Sequence, residues 1–223
     1  MKRLAQLAVV AGALLLNGCG DNEAHNRGVY MLLDTSGTLL DTSGTYTLEL
    51  AKAQQIINYV LAKLGPTDTF AVARIDTGSF TEKNIVDKMT FDDQPSQANQ
   101  QKLQFRAAVD KMIKTVHPSA YTDITGGLLQ ATEYLNERNP GKKTILIFSD
   151  LKEELKPGFV RNIPLHLDGY EVIALNVTKL RSDNVDPREY MERIKQWKAK
   201  VEQGGGTWRV INDLEQLEGI FQS

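Results

Sequence analysis

Cysteine is nearly absent from this sequence: one of its 223 residues, Cys19, is a cysteine. No disulfide can therefore form within one chain, so stability must come from a packed core. There is also no run of lysine and arginine, and the formal net charge is −2. This charge pattern argues against a nucleic-acid partner and against a polybasic contact with a membrane. The three histidines lie away from the polar motifs described below, which excludes a histidine-based nucleophile–base pair at those motifs.

The sequence has no apolar run that suits a membrane-spanning helix. The apolar stretch from Leu4 to Leu16 is too short for that, but it follows a basic start and suits the hydrophobic region of an export signal. The residues Leu16-Asn17-Gly18-Cys19 resemble the lipobox of a bacterial lipoprotein, although Asn17 is a less usual occupant of its position. The resemblance implies that residues 1–18 are a signal peptide, removed by cleavage before Cys19, and that Cys19 carries the lipid.

The short polar segment after Cys19 separates this signal from the rest of the chain. It is too short to hold structure, so we interpret residues 19–28 as a lipidated tether and residues 29–223 as one folded domain. In Gram-negative lipoproteins, an Asp directly after the lipidated Cys is associated with retention in the inner membrane. Gly20 occupies that position here. The sequence therefore predicts a protein of the cell envelope and favours the outer membrane, facing the periplasm, over the inner membrane.

The rest of the chain is organised around one stretch, in which five apolar residues, Val29 to Leu33, run directly into Asp34-Thr35-Ser36-Gly37-Thr38. An apolar run of this kind is typical of a central parallel strand that is buried on both faces. Ligands bind beyond the carboxyl ends of such strands, and oxygen-bearing side chains in alternation suit a hard cation such as Mg²⁺. The alternative is that Asp34 and Ser36 only cap a turn or a helix.

The hydrophobic periodicity downstream predicts alternating strands and helices. Further strands are expected at 70–75, 85–91, 144–148, 171–177 and 207–211, and helices at 48–64, 96–116, 128–138, 187–203 and 214–221. The strand at 85–91 is short and alternating, as an antiparallel edge strand would be. The predicted fold class is therefore α/β: a doubly wound, mostly parallel, Rossmann-like sheet with one antiparallel edge strand and helices on both faces.

Two further polar sets fall where such a sheet would bring them near Asp34. Thr122 and Asp123 lie in a loop before a helix, and Ser149 and Asp150 follow a buried strand. This arrangement resembles the von Willebrand factor type A (vWA) domain and its metal-ion-dependent adhesion site (MIDAS). That family has D-x-S-x-S after the first strand, a Thr in a loop before a helix, and an Asp after the fourth strand. The resemblance implies these metal ligands: Asp34, Ser36, Thr38, Thr122 and Asp150.

Two positions depart from the pattern of the family. Thr38 replaces a Ser but keeps the hydroxyl group, and Leu151 follows Asp150 where the family frequently has Gly, which leaves the shape of that turn open. The resemblance implies Mg²⁺ or Mn²⁺ as cofactor, with one coordination position open to an Asp or Glu side chain of another protein. It therefore implies a membrane-anchored, metal-dependent protein-binding module of the adhesion or assembly type, and not an enzyme.

The heptad Leu-Leu-Asp-Thr-Ser-Gly-Thr occurs twice in succession, at 32–38 and 39–45. The metal site could therefore use Asp34, Ser36 and Thr38 or instead Asp41, Ser43 and Thr45. The first copy has the better strand before it: five apolar residues, Val29 to Leu33, precede Asp34, whereas only Leu39 and Leu40 precede Asp41. The second copy has the shorter link to the following helix. The strand argument favours the first copy. If the second copy formed the site, Asp34 would lie in mid-strand, and its carboxylate would be desolvated without a partner.

Two other functions are open. Across the junction of the repeat, residues 34–41 resemble the D-x-D-G-T-L-x-D motif of haloacid-dehalogenase-type phosphatases. Ser36 stands where that motif has its general acid, and a hydroxyl group cannot cycle protons near neutral pH as a carboxylate does. The other possibility is a metal-free scaffold lipoprotein. A magnesium-dependent change in thermal stability separates the metal site from the scaffold, and a phosphatase assay tests the enzyme.

Overall fold

The computed structural model describes residues 26–36, 48–75, 82–180 and 182–221. Within these ranges, six strands form one sheet in the order β3-β2-β1-β4-β5-β6. The strands are β1 (Arg27–Asp34), β2 (Thr69–Ile75), β3 (Ile85–Thr90), β4 (Lys142–Phe148), β5 (Tyr170–Leu175) and β6 (Thr207–Ile211). The helices are α1 (Leu48–Lys63), α2 (Pro95–Thr115), α3 (Ile124–Arg138) and α4 (Pro187–Gln203), and a 3₁₀ helix spans Leu214–Phe221.

Neighbouring strands of the sheet are parallel except at one edge. β3 pairs with β2 in antiparallel orientation, and every other neighbouring pair is parallel. The predicted fold class, a mostly parallel α/β sheet with one antiparallel edge strand, is thus confirmed.

Strand β1 is central and is covered on both faces, as its apolar run predicted. Successive side chains of a strand point to opposite faces of the sheet. Val29, Met31 and Leu33 belong to the apolar core under α1, α2 and the 3₁₀ helix. Tyr30 and Leu32 belong to the core under α3 and α4. The two cores lie on opposite faces of the sheet, so the protein has three layers.

The start of α3 differs from the prediction, which put residues 121–127 in a loop. The helix begins at Ile124, because the Asp123 side chain accepts a hydrogen bond of 2.7 Å from the Gly126 amide and caps the first turn. Glycine disfavours helix in general, which is why the sequence pattern placed the start too late. Here Gly127 lets the helix approach β1, since a Cβ atom at this position would lie 3.0 Å from the Leu32 side chain.

The connection between β4 and β5 contains no helix, although parallel strands are usually joined by one. Residues 149–169, all of which the structure describes, run across the face of the sheet that α3 and α4 cover. Leu165 and Leu167 are buried there, and the Trp197 indole of α4 donates a hydrogen bond of 2.9 Å to the Leu151 carbonyl. An irregular segment with its own apolar anchors therefore occupies the place of a crossover helix.

Strand β1 begins earlier than predicted, so the last two residues of the predicted tether, Arg27 and Gly28, are part of the sheet. The Arg27 amide donates a hydrogen bond of 2.7 Å to Asp68, and its guanidinium forms an ion pair with the same carboxylate. The predicted signal peptide and the predicted lipidation site, Cys19, lie outside the described residues. No helix of the described ranges combines the length and the hydropathy that crossing a membrane requires.

Candidate metal site at the carboxyl edge of the sheet

The order of the strands creates a crevice between β1 and β4. These two strands are neighbours in the sheet, but the chain continues from β1 to β2 on one side and from β4 to β5 on the other. Such a reversal is where open α/β sheets bind ligands, beyond the carboxyl ends of the strands. Asp34 is the last residue of β1, and Ser149 and Asp150 directly follow β4. Residues of both motifs therefore meet at this edge.

Asp34 is fully buried at the centre of this crevice. Its Oδ2 accepts a hydrogen bond of 2.6 Å from the Ser149 hydroxyl, and its Oδ1 accepts one of 2.8 Å from the Ser36 amide. Both carboxylate oxygens are thus oriented by groups that lie beyond the strand ends. The carboxylate is held in one position, as a ligand in a preformed site needs to be.

The electrostatics of the crevice disfavour a bare Asp34 carboxylate. The pKa of Asp34 is raised to about 6, chiefly by burial. The hydrogen bonds from Ser149 and Ser36 oppose this rise, and the negative charge of Asp150 adds a smaller contribution to it. Two carboxylates thus repel each other in a site of low dielectric constant. A cation in the crevice would stabilise the charged form of Asp34.

Asp150 is also buried, and the turn that follows it has an unusual backbone. Asp150 Oδ1 accepts a hydrogen bond of 2.8 Å from the Lys152 amide, and the Ser149 hydroxyl accepts one of 3.0 Å from the Leu151 amide. Leu151 has a φ of 66°, in the left-handed region that glycine adopts most readily. Leucine therefore occupies, with its side chain buried, a conformation that suits the glycine frequent in the vWA family.

The loop that carries Thr122 is attached to both strand ends by backbone hydrogen bonds. The Ser119 amide donates to the Thr35 carbonyl at 2.6 Å, next to Asp34. Thr122 pairs with Glu154 through two hydrogen bonds of 2.8 and 2.9 Å, a few residues beyond Asp150. Thr122 is buried. These bonds bring the third predicted element to the same edge of the sheet as the first two.

An ion pair that the sequence analysis missed lies beside Thr122. The Arg161 guanidinium contacts the buried Asp123 carboxylate in a forked arrangement, with Nη2 at 2.6 Å and Nε at 2.8 Å from Oδ2. Arg161 belongs to the helix-free connection after β4, so no local pattern marks it as a partner of Asp123. Glu153 of the same connection accepts a hydrogen bond of 2.6 Å from the Thr125 amide. The carboxylates of Asp123 and Glu153 therefore both cap the first turn of α3, and neither was predicted to do so.

Four of the five predicted metal ligands lie at one edge of the sheet: Asp34, Ser36, Thr122 and Asp150. Thr38 and the whole second copy of the heptad lie outside the described residues. No cluster of three or more His, Cys, Asp or Glu side chains that could hold a metal ion occurs in the part of the chain that the structure describes. The predicted set needs only two carboxylates, with hydroxyl groups as its other protein ligands. These donors are all oxygens, which fits Mg²⁺ or Mn²⁺.

Comparison with known proteins finds likeness at the level of structure. No protein-family model matches the chain, and no curated protein matches it. The proximal thread matrix protein 1 of the mussel byssus is 15% identical and aligns with a TM-score of 0.51, covering 89% of this chain and 44% of its own. The pilus adhesin SpaC from Lactobacillus rhamnosus GG is 11% identical, with a TM-score of 0.50, and the alignment covers 89% of this chain and 30% of that one.

A von Willebrand factor type A protein from Catenulispora acidiphila is 17% identical, with a TM-score of 0.49, over 88% of this chain and 41% of that one. This chain therefore spans less than half the length of these three proteins. At such identities the matches concern the fold alone. Taken with the strand order of the sheet, the matches to the mussel byssus protein and the pilus adhesin show that this chain has a vWA-like α/β fold.

Proposed function

We propose that this chain is a cell-envelope module of the adhesion or assembly type that binds another protein through a divalent metal. One observation supports this proposal more than any other. Asp34 and Asp150 are both buried at the strand-order reversal, where burial and, to a smaller extent, the charge of Asp150 raise the pKa of Asp34. Burying a carboxylate costs stability, and a bound cation offsets that cost.

The residues proposed to hold the metal are those of the sequence motif: Asp34, Ser36, Thr38, Thr122 and Asp150. Mg²⁺ is the first choice and Mn²⁺ the second, because the donors are carboxylates and hydroxyls and both ions accept them. A structural relative, the mussel byssus protein, has also been solved with zinc in its MIDAS motif. The metal would supply a positive charge at the surface, and an acidic side chain of a partner would complete its coordination.

The proposed partner is therefore another protein that presents an Asp or Glu side chain. In the sequence, none of the three motifs contains a nucleophile with an adjacent histidine base, so we propose binding without catalysis. One structural relative is a pilus adhesin, which is in keeping with a role in protein contacts. The alternative phosphatase motif depends on Asp41, which lies outside the described residues.

The proposed lipid on Cys19 gives the site an orientation. β1 begins at Arg27 and ends at Asp34, about 23 Å further along the strand at 3.3 Å per residue. The tether thus leaves from the amino edge of the sheet, while the candidate metal site lies at the carboxyl edge. A domain anchored in the outer membrane through this tether could present the site away from the lipid surface.

Titration of the chain with MgCl₂ in thermal unfolding tests the metal. We expect Tm to rise with the concentration of Mg²⁺. At 100 times the dissociation constant, binding should add about 2.7 kcal/mol to the free energy of unfolding. Asp150→Asn should abolish the rise, whereas Asp93→Asn, at an exposed aspartate of the loop before α2, should leave it unchanged. Asparagine keeps an oxygen that can accept the hydrogen bond from the Lys152 amide, so the metal-free variant should still fold. Equal rises in both variants refute the site, and no rise in the wild type supports a metal-free scaffold.

A further inference from the structure

The connection between β4 and β5 carries an exposed apolar surface next to the candidate metal site. We call residues 156–164 of this connection the apolar tip. Three of its side chains are apolar and exposed: Phe159 at 43%, Val160 at 73% and Ile163 at 47%. Only four other large hydrophobic side chains in the described ranges are exposed, and they are spread over α1, α2 and the region from 185 to 191. Large apolar side chains exposed together on one short segment indicate an interaction surface more strongly than singly exposed ones do.

The apolar tip has a defined backbone. The Phe159 amide donates a hydrogen bond of 3.0 Å to the Lys156 carbonyl and closes a four-residue turn. Pro157 and Gly158 occupy the two central positions, and Gly158 has a φ of 91°. These are the residue types that a type II turn favours there. The turn fixes the direction in which Phe159 leaves the backbone.

A contact with α3 fixes the apolar tip beside the metal site. The Arg161 guanidinium forms its ion pair with Asp123, the residue next to Thr122, with a shortest distance of 2.6 Å. The same guanidinium lies 5.6 Å from the centre of the Phe159 ring. The ion pair is largely buried, with the two side chains 15% and 3% exposed. The position of Phe159 is therefore tied, through one side chain, to the loop that carries a proposed ligand.

The charge of the apolar tip indicates what it would bind. No Asp or Glu occurs from Leu155 to Leu165, and Lys156 is cationic and exposed, whereas Asp123 balances the charge of Arg161. A bound divalent metal would add further positive charge at the neighbouring edge. A complementary surface therefore combines negative charge with apolar side chains. A lipid surface is disfavoured as the occupant, because the tether leaves from the amino edge of the sheet and the apolar tip is attached at the carboxyl edge.

We propose that the apolar tip binds the apolar side chains that flank the metal-binding Asp or Glu in a segment of the partner protein. The metal site and the tip then recognise one motif together: an acidic residue with apolar neighbours within a few positions. This inference rests on the proposed function, and it deepens that function by naming the class of partner segment. The metal would recognise the carboxylate, and the residues Phe159, Val160 and Ile163 would select among acidic segments.

Selection from a random 12-residue peptide display library tests the proposal. The library is panned on the purified full chain in MgCl₂, and an enriched peptide is synthesised with a fluorescent label for anisotropy measurements. We expect enriched peptides to carry an Asp or Glu with apolar residues within three positions. Val160→Ser should weaken binding several-fold, and the triple variant Phe159→Ser, Val160→Ser and Ile163→Ser at least tenfold. Leu103→Ser, at a residue 67% exposed on α2, is the matched control and should change binding less than twofold.

Chelation of the metal separates this inference from the proposed function. Binding that EDTA abolishes but that the triple variant keeps overturns the role of the tip and leaves the metal site standing. Binding that the triple variant loses but EDTA does not affect supports the tip and refutes the metal site. No enrichment, or enrichment of acidic peptides without apolar residues, overturns the inference. Two other results would also overturn the inference. One is sedimentation of the Cys19→Ala chain with anionic phospholipid vesicles that the triple variant abolishes. The other is dimerisation in ultracentrifugation that the triple variant abolishes.

Discussion

The hydroxyl group of Ser149 donates a hydrogen bond of 2.6 Å to the carboxylate of Asp34, 115 residues earlier in the chain. Both residues are buried, and the bond joins the carboxyl ends of the two central strands, β1 and β4. It favours the ionised form of Asp34, in opposition to the effect of burial. The bond thus keeps the proposed site assembled and partly charged before any metal binds.

Ser149→Ala should destabilise the protein by about 1–3 kcal/mol, because it removes a partner of a buried carboxylate. The Leu151 amide loses its acceptor in the same variant. The free energy of unfolding in urea measures the effect. Ser96→Ala, at an exposed serine in the first turn of α2, is the control and should change stability little. A similar loss in both variants would show that the bond contributes nothing specific.

Asp34→Ala should abolish the magnesium-dependent rise in Tm, whereas Asp41→Ala should keep it. The structure places Asp34 at the end of β1 and in contact with Ser149. Use of Asp41 would require the strand to slide by seven residues. Because β1 has only eight residues, such a slide would carry the apolar residues 29–33 past the amino end of the sheet, where they would lose their burial. Loss of the rise in Asp41→Ala alone would demonstrate such a slide.

At Leu151, the glycine variant should be more stable than the alanine variant, the reverse of the usual order. Both substitutions remove a buried side chain at about 2–5 kcal/mol. Glycine also removes the strain of the left-handed backbone, about 1–2 kcal/mol, so Leu151→Gly should be more stable than Leu151→Ala. Leu128, buried in α3, is the control, where alanine should be the more stable by about 1 kcal/mol. Urea unfolding of the four variants gives the comparison, and the same order at both sites would contradict the prediction.

The buried ion pair between Asp183 and Arg193 should make stability depend on pH. Its two hydrogen bonds measure 2.7 and 2.8 Å, and the hydrogen bond from Arg193 is the main reason why the pKa of Asp183 is lowered. A lowered pKa stabilises the fold above about pH 4, the ordinary pKa of Asp, and this contribution is lost as the pH falls through the folded-state pKa. Asp183→Asn should therefore cost about 3 kcal/mol at pH 7 and clearly less at low pH.

Urea unfolding of both proteins across this pH range measures the difference. Asp186→Asn is the control, because its ion pair with Arg188 is exposed and should contribute much less. A cost of Asp183→Asn that does not change with pH would refute the assignment of the effect to the charge of Asp183.

Cys19→Ala should release the protein from the membrane fraction. The prediction rests on the apolar run and the lipobox that precede Cys19, and it is independent of the metal site. Fractionation of the expressing cells, with labelling by a radioactive fatty acid, measures it. Membrane association that is the same in the variant and the wild type would show that the lipid is not the anchor. A separation of inner and outer membranes then tests the favoured location.

Local patterns in the sequence determined most of the secondary structure and the position of the candidate site. The apolar run before Asp34 predicted a central strand, and the alternation at 85–91 predicted the antiparallel edge strand, observed at Ile85–Thr90. The bounds of α4 and β6 agree with the predictions. These features depend on residues within a few positions of each other, because hydrophobic periodicity and capping are local. A parallel sheet then places all its polar strand ends at one edge.

The tertiary structure alone decided which distant groups meet at that edge. Position 127 suits glycine because a Cβ atom there would lie only 3.0 Å from the side chain of Leu32, on another element. Arg161 pairs with Asp123, and Leu151 takes a left-handed backbone with its side chain buried, through contacts with no signature in their own neighbourhoods. The energies of these contacts depend on burial and on partners far along the chain, so they exist only once the sheet has formed.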